Sequence, residues 1–153
     1  MAELKGDFFN KEEVRTHDSR LSYINTFLPK LLKTAKEKTL GFKDHLESID
    51  PHEVRCIEDL QKIPVLRKSE LANKQKLFPP FGGFERTKEQ KTTHFFQSPG
   101  PIYEPGTRGL DWGRFAPFLY ATGVRKGMVL QNCFSYHLTP AGMMFEEGAL
   151  KIG

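Results

Sequence analysis

The last 31 residues of the chain, 123–153, read GVRKGMVLQNCFSYHLTPAGMMFEEGALKIG, and this stretch decides the fold. The apolar run Met128–Phe134 predicts a short strand. Thr139 and Pro140 predict the start of a helix, with a hydroxyl cap followed by proline at the first helical position. The helix would carry an apolar stripe made of Ala141, Met144, Phe145 and Ala149. The stretch therefore predicts a strand, a loop and a helix in that order.

The residues before this stretch repeat the same order of elements. Residues 92–97, TTHFFQ, are rich in β-branched and aromatic side chains and predict a strand. Residues 98–106, SPGPIYEPG, predict a loop because proline and glycine recur throughout them. Asp111–Thr122 predicts a helix that Pro117 interrupts. The repeated order is typical of an α/β fold with a parallel sheet.

The final helix predicts that the chain is the start of a larger domain. It runs to Gly153, whereas a crossover helix normally leads into a further parallel strand. Two strands alone do not make a stable sheet, so we expect the sequence to stop at the edge of a third strand. The alternative is a small complete α+β domain whose other strands lie in the N-terminal half.

Charge density divides the chain into segments. The first 91 residues contain 33 charged side chains, and the last 62 contain 9. Charged sequence covers surfaces, whereas apolar sequence builds sheets and pockets. We therefore predict an N-terminal arm over 1–18, a charged and mainly helical segment over 19–91, and an incomplete β/α subdomain over 92–153.

The charged segment has a helical pattern. Apolar residues recur every three or four positions from Leu21 to Ala35, which predicts a helix capped by Asp18 or Ser19. Pro29 lies inside this run, so we expect a kink or two abutting helices. A short helix is predicted over Glu58–Gln61.

Composition excludes several classes of protein. Apolar residues make up 38% of the chain, which is typical of a globular protein. No stretch approaches the roughly 18 apolar residues that a membrane helix needs. The N-terminus shows no apolar signal-peptide region, and Cys56 and Cys133 are too few for a disulfide framework or to close a four-ligand zinc site. These features predict a cytoplasmic protein with free thiols.

The net charge of +4 does not predict nucleic-acid binding. Residues 1–91 hold 18 basic and 15 acidic side chains, and residues 92–153 hold 5 and 4. Binding to phosphate backbones needs basic residues concentrated on one face. The two charges are interleaved here, so we expect neither a nucleic-acid nor a membrane partner. The histidines show no metal-ligand spacing, and no catalytic residue is predicted.

Residues 98–106 occupy the place where phosphate-binding loops occur, between a strand and a helix. Ser98, Gly100, Thr107 and Arg108 could help to bind phosphate. However, the three prolines of this loop donate no backbone proton, and Glu104 has the wrong charge. From spacing alone, a rigid surface turn is at least as good an interpretation.

The loop after Met128–Phe134 is the second candidate site. Phe134, Tyr136 and His137 would lie beyond the carboxyl end of a strand, where ligands bind in open α/β sheets. Their rings and the titratable imidazole would form a small-molecule pocket. The alternative is that both aromatic residues belong to the core and that His137 is an ordinary surface histidine.

Two stretches carry a resemblance to a known family. Residues 57–82, IEDLQKIPVLRKSELANKQKLFPPFG, and residues 123–153 resemble segments of phenylacetate–CoA ligases in order and spacing. These are adenylate-forming (AMP-binding) enzymes, which activate aryl acids with ATP and transfer them to coenzyme A. The resemblance covers residues 19–153 and corresponds to the N-terminal third of the family's chains.

The resemblance implies a fold and two sites. The fold would be a helical segment followed by the start of the mainly parallel β/α subdomain of adenylate-forming enzymes. At the family's phosphate loop only Ser98, Gly100 and Pro105 match, so the loop is degenerate and lacks its threonines and lysine. Tyr136 falls on the family's pocket tyrosine, and His137 replaces a usual glycine.

The resemblance also implies a function. We expect the N-terminal portion of an acyl- or aryl-CoA ligase-like protein, inactive alone, with ATP, Mg²⁺ and coenzyme A as the family's cofactors. The degenerate loop makes ATP use by this chain doubtful. The implied partner is a small aromatic or acyl carboxylic acid, and an unpaired sheet edge predicts self-association. The alternative is a non-catalytic relative that binds a small aromatic acid or a protein partner.

Overall fold

The computed structural model describes residues 7–86, 92–107, 109 and 111–153. Residues 1–6 of the predicted arm and Arg108 of the predicted phosphate loop lie outside this range. The elements are α1 (His17–Lys38), α2 (Leu40–His45), two 3₁₀ helices (Pro51–Glu53 and Ile57–Lys62), α3 (Lys68–Leu77), β1 (His94–Ser98), β2 (Ile102–Gly106), α4 (Phe115–Ala121) and α5 (Ala141–Ile152).

The chain divides into two compact units. The helical unit comprises the described residues of 16–91 and 99–103. The C-terminal unit comprises the described residues of 1–15, 92–98 and 104–153. Each unit is therefore built from stretches that are distant in sequence.

The first helix confirms the predicted periodicity but not its predicted cap. Thr16 is the N-cap residue, and its hydroxyl accepts a hydrogen bond from the Ser19 backbone N–H at 3.2 Å. Pro29 lies inside one continuous helix, so the division into two helices was wrong. The short helix predicted over Glu58–Gln61 is confirmed as the second 3₁₀ helix.

A single buried threonine ends α1 and begins α2. The Thr39 hydroxyl donates to the Ala35 carbonyl at 2.9 Å and accepts from the Phe42 N–H at 3.2 Å. The hydroxyl therefore adds a second hydrogen bond to the Ala35 carbonyl at the end of α1 and caps the Phe42 N–H in the first turn of α2. The Gly41 N–H donates to the Gly83 carbonyl at 2.7 Å, and a Cβ on Gly41 would lie 2.8 Å from the Phe84 ring. Only glycine permits this close approach.

The segment predicted as a phosphate loop is a β-hairpin. β1 and β2 pair in a two-stranded sheet, and only residues 99–101 connect them. Strands joined by three residues run antiparallel. The strand prediction over 92–97 is confirmed, whereas the loop prediction was wrong for 102–106. The loop was predicted from its prolines, but an edge strand tolerates proline. Pro105 lies in such a strand, since β2 pairs on one side only in the described chain.

The predicted strand over Met128–Phe134 is absent from the structure. Among the described residues, β1 and β2 are the only strands, and neither pairs with these residues. The Val129 side chain is 100% exposed. An apolar run becomes a strand only beside a partner strand, so the parallel pair predicted between 92–97 and 128–134 does not form here.

The helix predicted over Asp111–Thr122 begins four residues later than expected. Asp111 adopts a left-handed conformation with φ 59°, so it stands before α4 rather than in it. Its carboxylate accepts hydrogen bonds from the Phe115 N–H at 2.6 Å and the Ala116 N–H at 2.9 Å. Asp111 thus satisfies the first turn of α4 from outside the helix.

The last helix, α5, packs closely on α4. It begins at Ala141 with Pro140 at the N-cap and no side-chain cap, so the prediction that Thr139 caps the helix was wrong. A Cβ on Gly148 would lie 2.7 Å from the Phe115 Cβ and 3.0 Å from the Ala116 N. The two backbones can approach this closely because Gly148 has no side chain.

The described part of the N-terminal arm contacts the end of α4. Asp7 accepts hydrogen bonds from the Tyr120 hydroxyl and from the Arg125 Nε, the latter at 2.9 Å. The Tyr120 hydrogen bond, followed by the Arg125 one, lowers the pKa of the Asp7 carboxyl. The Arg125 guanidinium also lies 3.7 Å from the Tyr120 ring centroid. Within the C-terminal unit, these contacts fix Asp7 to the end of α4.

Candidate functional site

Residues 128–139, here called the linking segment, connect α4 to α5 without regular structure. Backbone pairing holds it at one end, where the Gln97 N–H donates to the Leu138 carbonyl at 2.8 Å. A side chain holds it near the middle. The Asn132 Nδ2 donates to the Tyr136 hydroxyl and to the Gly142 carbonyl, both at 2.8 Å. The linking segment is thus fastened to the first turn of α5.

A cavity of about 420 Å³ lies between the linking segment, α4 and α5. Its volume is within the usual range for small-molecule sites. Its lining is mainly apolar and consists of Leu119, Leu130, Gln131, Asn132, Cys133, Phe134 and Phe145. This cavity is the candidate functional site.

Aromatic rings form one wall of the cavity. Phe134 stacks on Phe145 with ring centroids 4.7 Å apart and planes 19° apart. Behind this pair, Phe115 and Phe118 meet the Phe145 ring edge to face. Such ring pairs stabilise each other beyond the area that they bury. The wall suits the flat or apolar part of a small ligand.

Tyr136 lies beside the cavity with its hydroxyl on Asn132. Partial burial raises the pKa of the Tyr136 phenol, and a hydrogen bond with Glu146 raises it further. The hydrogen bond from Asn132 acts in the opposite direction and lowers the pKa. Tyr136 is therefore neutral at physiological pH, and its hydroxyl lies between an amide and a carboxylate.

The structure separates the three residues predicted to form the pocket. Phe134 lines the cavity, Tyr136 reaches its lining through Asn132, and His137 is exposed and does not line it. The pattern of aromatic residues did not single out Asn132 or Phe145 as site residues. A signal was present for both, since Asn132 belongs to the stretch 123–153 that carries the family resemblance and Phe145 to the apolar stripe of α5.

The three residues predicted at the degenerate phosphate loop lie along the hairpin. Ser98 ends β1, Gly100 lies in the turn with φ 138°, and Pro105 is in β2. The hairpin is fastened by the side chain of the buried Gln75. The Gln75 amide donates to the Tyr103 carbonyl at 2.8 Å and accepts from the Tyr103 N–H at 2.9 Å. Strand and side-chain pairing thus occupy backbone groups that a phosphate loop would leave free.

A second concavity of about 820 Å³ lies in the helical unit, between α1 and residues 47–52. Its lining contains both lysines and carboxylates, so its charges are of mixed sign. The Lys36 ammonium donates hydrogen bonds to the carbonyls of Glu47 and Ile49. Lys36 therefore serves to hold the loop rather than to attract an anion. This groove lacks the aromatic wall of the first cavity.

Metal-ligating clusters and membrane-spanning helices are both absent from the described ranges. These ranges contain no group of three or more His, Cys, Asp or Glu side chains placed to hold a metal ion. Within the same residues, no helix has the length and apolar content to cross a membrane. Both cysteines are free thiols, Cys56 half-buried and Cys133 exposed at the cavity.

Comparison with known proteins shows a relative in sequence. Over 112 residues the chain is 30% identical to the phenylacetate-coenzyme A ligase of Thermus thermophilus, covering 69% of this chain and 24% of that protein. No protein-family model matches the chain. The resemblance predicted from the two motif stretches is thereby confirmed.

Solved structures match the fold. A 2-hydroxyisobutyryl-CoA ligase in the postadenylation state, in complex with 2-HIB-AMP, superposes with a TM-score of 0.86 at 19% identity over 99% of this chain. The same ligase with 2-HIB-AMP and CoA in the thioesterification state gives 0.79 at 20% identity over 90% of this chain. The predicted fold class is confirmed. The chain spans 34% and 31% of those two structures.

Proposed function

Because the chain is similar in sequence to a phenylacetate–CoA ligase and has the fold of part of an adenylate-forming CoA ligase, we propose that it is the N-terminal portion of an acyl- or aryl-CoA ligase-like protein. Its part in that protein is to hold the carboxylic acid. The carrying observation is the cavity walled by the stacked rings of Phe134 and Phe145.

The cavity favours a small aromatic or acyl carboxylic acid. Its apolar lining would receive the ring or alkyl part of the acid, since burial of apolar surface is the main source of affinity in such sites. The Asn132 amide supplies a polar contact at the edge of the cavity. The acid bound by the solved relatives as an adenylate, 2-HIB, is small, and phenylacetate gives its name to the ligase that matches in sequence.

Residues 98–107 do not fit the triphosphate of ATP. A phosphate loop works through several free backbone N–H groups and usually a lysine. Residues 98–107 contain three prolines and no lysine, and Glu104 adds negative charge. One solved relative is in complex with 2-HIB-AMP, and another structure of the same ligase also contains CoA. ATP and CoA are therefore the cofactors that the resemblance implies, although residues 98–107 supply no lysine for the phosphates of ATP.

We therefore expect the 153-residue chain to bind an aromatic acid without adenylating it. Calorimetric titration with phenylacetate should give a binding heat that ATP and Mg²⁺ leave unchanged, and a coupled assay should detect no pyrophosphate. Phe134→Ala should weaken binding, whereas Phe78→Ala should not. Phe78 is a matched control because it is 54% exposed, Phe134 is 50% exposed, and Phe78 is outside the cavity lining.

Pyrophosphate release with phenylacetate and ATP would contradict the proposed lack of turnover. Equal binding by the Phe134→Ala and wild-type chains would contradict the proposed site.

A second candidate function, binding of a protein partner or a second copy, is favoured by the exposed apolar side chains of the linking segment. Met128, Val129 and Leu138 are 60%, 100% and 57% exposed. An unpaired apolar run is a template for pairing with another chain. Light scattering over a range of concentrations should show association that Val129→Lys reduces, and a monomer at every concentration would exclude self-association.

A further inference from the structure

The Asn132 side chain makes three hydrogen bonds, and two of them fix its orientation. The Gly142 carbonyl can only accept, so the Nδ2 group must face it at 2.8 Å. The Phe134 N–H can only donate, so the Oδ1 atom must face it at 3.1 Å. The Tyr136 hydroxyl, 2.8 Å from Nδ2, is therefore an acceptor.

These three bonds connect the parts that form the aromatic wall. Phe134 is in the linking segment, and Phe145 is one turn along α5 from Gly142. Asn132 binds the backbone of Phe134 and the backbone of Gly142, so it holds the two rings at their stacking distance of 4.7 Å. The linking segment approaches α5 closely here, since a Cβ on Gly142 would lie 2.6 Å from the Ser135 carbonyl oxygen.

The Tyr136 hydroxyl is directed by the same amide. Because it accepts from Asn132, its own proton is free to be donated elsewhere, and the hydrogen bond with Glu146 uses it. The ring of Tyr136 then lies against Gly142, with its Cδ2 atom 3.3 Å from the position of a Cβ there. The Tyr136 ring thus lies beside the first turn of α5, next to the cavity lining at Asn132.

We infer that Asn132 is a positioning residue for the acid pocket: its amide holds Phe134 and Phe145 stacked in the aromatic wall and sets the direction of the Tyr136 hydroxyl. The expected effect of Asn132 on acid binding rests on the proposed function. Its geometric part rests on the three hydrogen bonds alone. Asn132 acts through its neighbours and is not a catalytic residue.

The variant Asn132→Asp tests the inference because it keeps the shape of the side chain and the acceptor for Phe134 while removing both donations. The new carboxylate would face the Gly142 carbonyl, so we expect the linking segment to separate from α5. Binding of phenylacetate should become roughly tenfold weaker, which is the effect of losing about one net hydrogen bond. Asn73→Asp, the same change at an exposed residue of α3, is the matched control and should bind like the wild-type chain.

The pKa of the Tyr136 phenol is the second measurement. It should change if Asn132 directs the Tyr136 hydroxyl, and it should not change if Asn132 only stabilises the fold. Loss of the Asn132 donor, together with the added negative charge, should raise the pKa of Tyr136 in Asn132→Asp and leave it unchanged in Asn73→Asp. The four tyrosines can be followed by NMR, and the Tyr136 signal is assigned by its loss in Tyr136→Phe. An unchanged Tyr136 pKa in Asn132→Asp would overturn the inference.

A third measurement applies if Asn132→Asp does not fold. In Tyr136→Phe the bonds to Gly142 and Phe134 remain, so the chain should fold, and the Asn132 side-chain amide protons should shift and exchange faster than in the wild-type chain. Unshifted amide protons would overturn the inference.

Failure of the proposed function is a distinct result. A wild-type chain that binds no phenylacetate, with the Tyr136 pKa still raised in Asn132→Asp, would remove the acid pocket and leave the positioning role of Asn132 supported.

Discussion

The hairpin over 94–106 and the linking segment over 128–139 are opposites in how their backbones are held. The hairpin has few strand-forming residues in its second half, yet it forms a paired strand that the Gln75 side chain fastens further. The linking segment has the apolar content of a strand, yet it forms none. Its Leu138 carbonyl accepts a hydrogen bond from the hairpin, and the Asn132 side chain holds its middle to α5. Partner availability, more than local content, decides which stretch becomes a strand.

The largest expected effect concerns the core of the hairpin. Phe96 is 3% exposed and stacks on Trp112 with ring centroids 5.6 Å apart. Phe96→Ala should lower the free energy of unfolding by about 3–5 kcal/mol, because it leaves a cavity in a packed site. Phe95→Ala, in the same strand but with its ring mostly exposed, is the control and should cost less than about 1.5 kcal/mol. Urea denaturation measures both, and equal losses would show that the hairpin has no packed face.

The fastening of the hairpin should give the next largest effect. Gln75→Leu keeps the buried volume but removes both hydrogen bonds to the Tyr103 backbone. We expect a loss of about 1–3 kcal/mol in unfolding free energy and faster hydrogen exchange at the Tyr103 amide. Asn73→Leu on the exposed face of the same helix is the control. Protection of the Tyr103 amide that survives Gln75→Leu would argue against side-chain fastening.

The contribution of Tyr136 in the linking segment to the unfolding free energy should depend on pH in the alkaline range. The folded-state pKa of Tyr136 is raised, so its neutral form contributes stability that is fully present below the unfolded value near 10.0 and is lost as pH rises through the folded value. The stability advantage of the wild-type chain over Tyr136→Phe should therefore shrink above that pH. A pH-independent difference between the two denaturation curves would contradict the assigned environment of Tyr136.

The smallest effect is expected at the exposed end of the linking segment. Val129 is wholly exposed, so Val129→Thr should change the unfolding free energy by less than about 0.5 kcal/mol. Phe96→Ala in the hairpin provides the contrast in the same denaturation series. A large loss in Val129→Thr would mean that the linking segment is paired in solution, which would remove the difference between the two regions.

Features that depend on neighbouring residues could be predicted from the sequence, whereas features that depend on residues distant in the chain could not. The helix from His17 was predictable because its apolar spacing is local, whereas its cap at Thr16 lay outside the interpreted run. The strand Ile102–Gly106 was missed because Pro105 and Gly106 normally mark loops, whereas its pairing with β1 and its hydrogen bonds to Gln75 are not local signals. Phe134 was predicted from its aromatic ring and from its place after a predicted strand, and it lines the cavity although that strand does not form. The role of Asn132 was not, since it depends on a carbonyl ten residues away.

The central claim is that the linking segment and α5 form a site for a carboxylic acid. Backbone-amide NMR during titration with phenylacetate tests it most directly. We expect concentration-dependent shifts at the cavity residues 119, 130–134 and 145, with the hairpin residues 98–106 unaffected. Shifts concentrated in the hairpin, or no shifts at saturating phenylacetate, would contradict it.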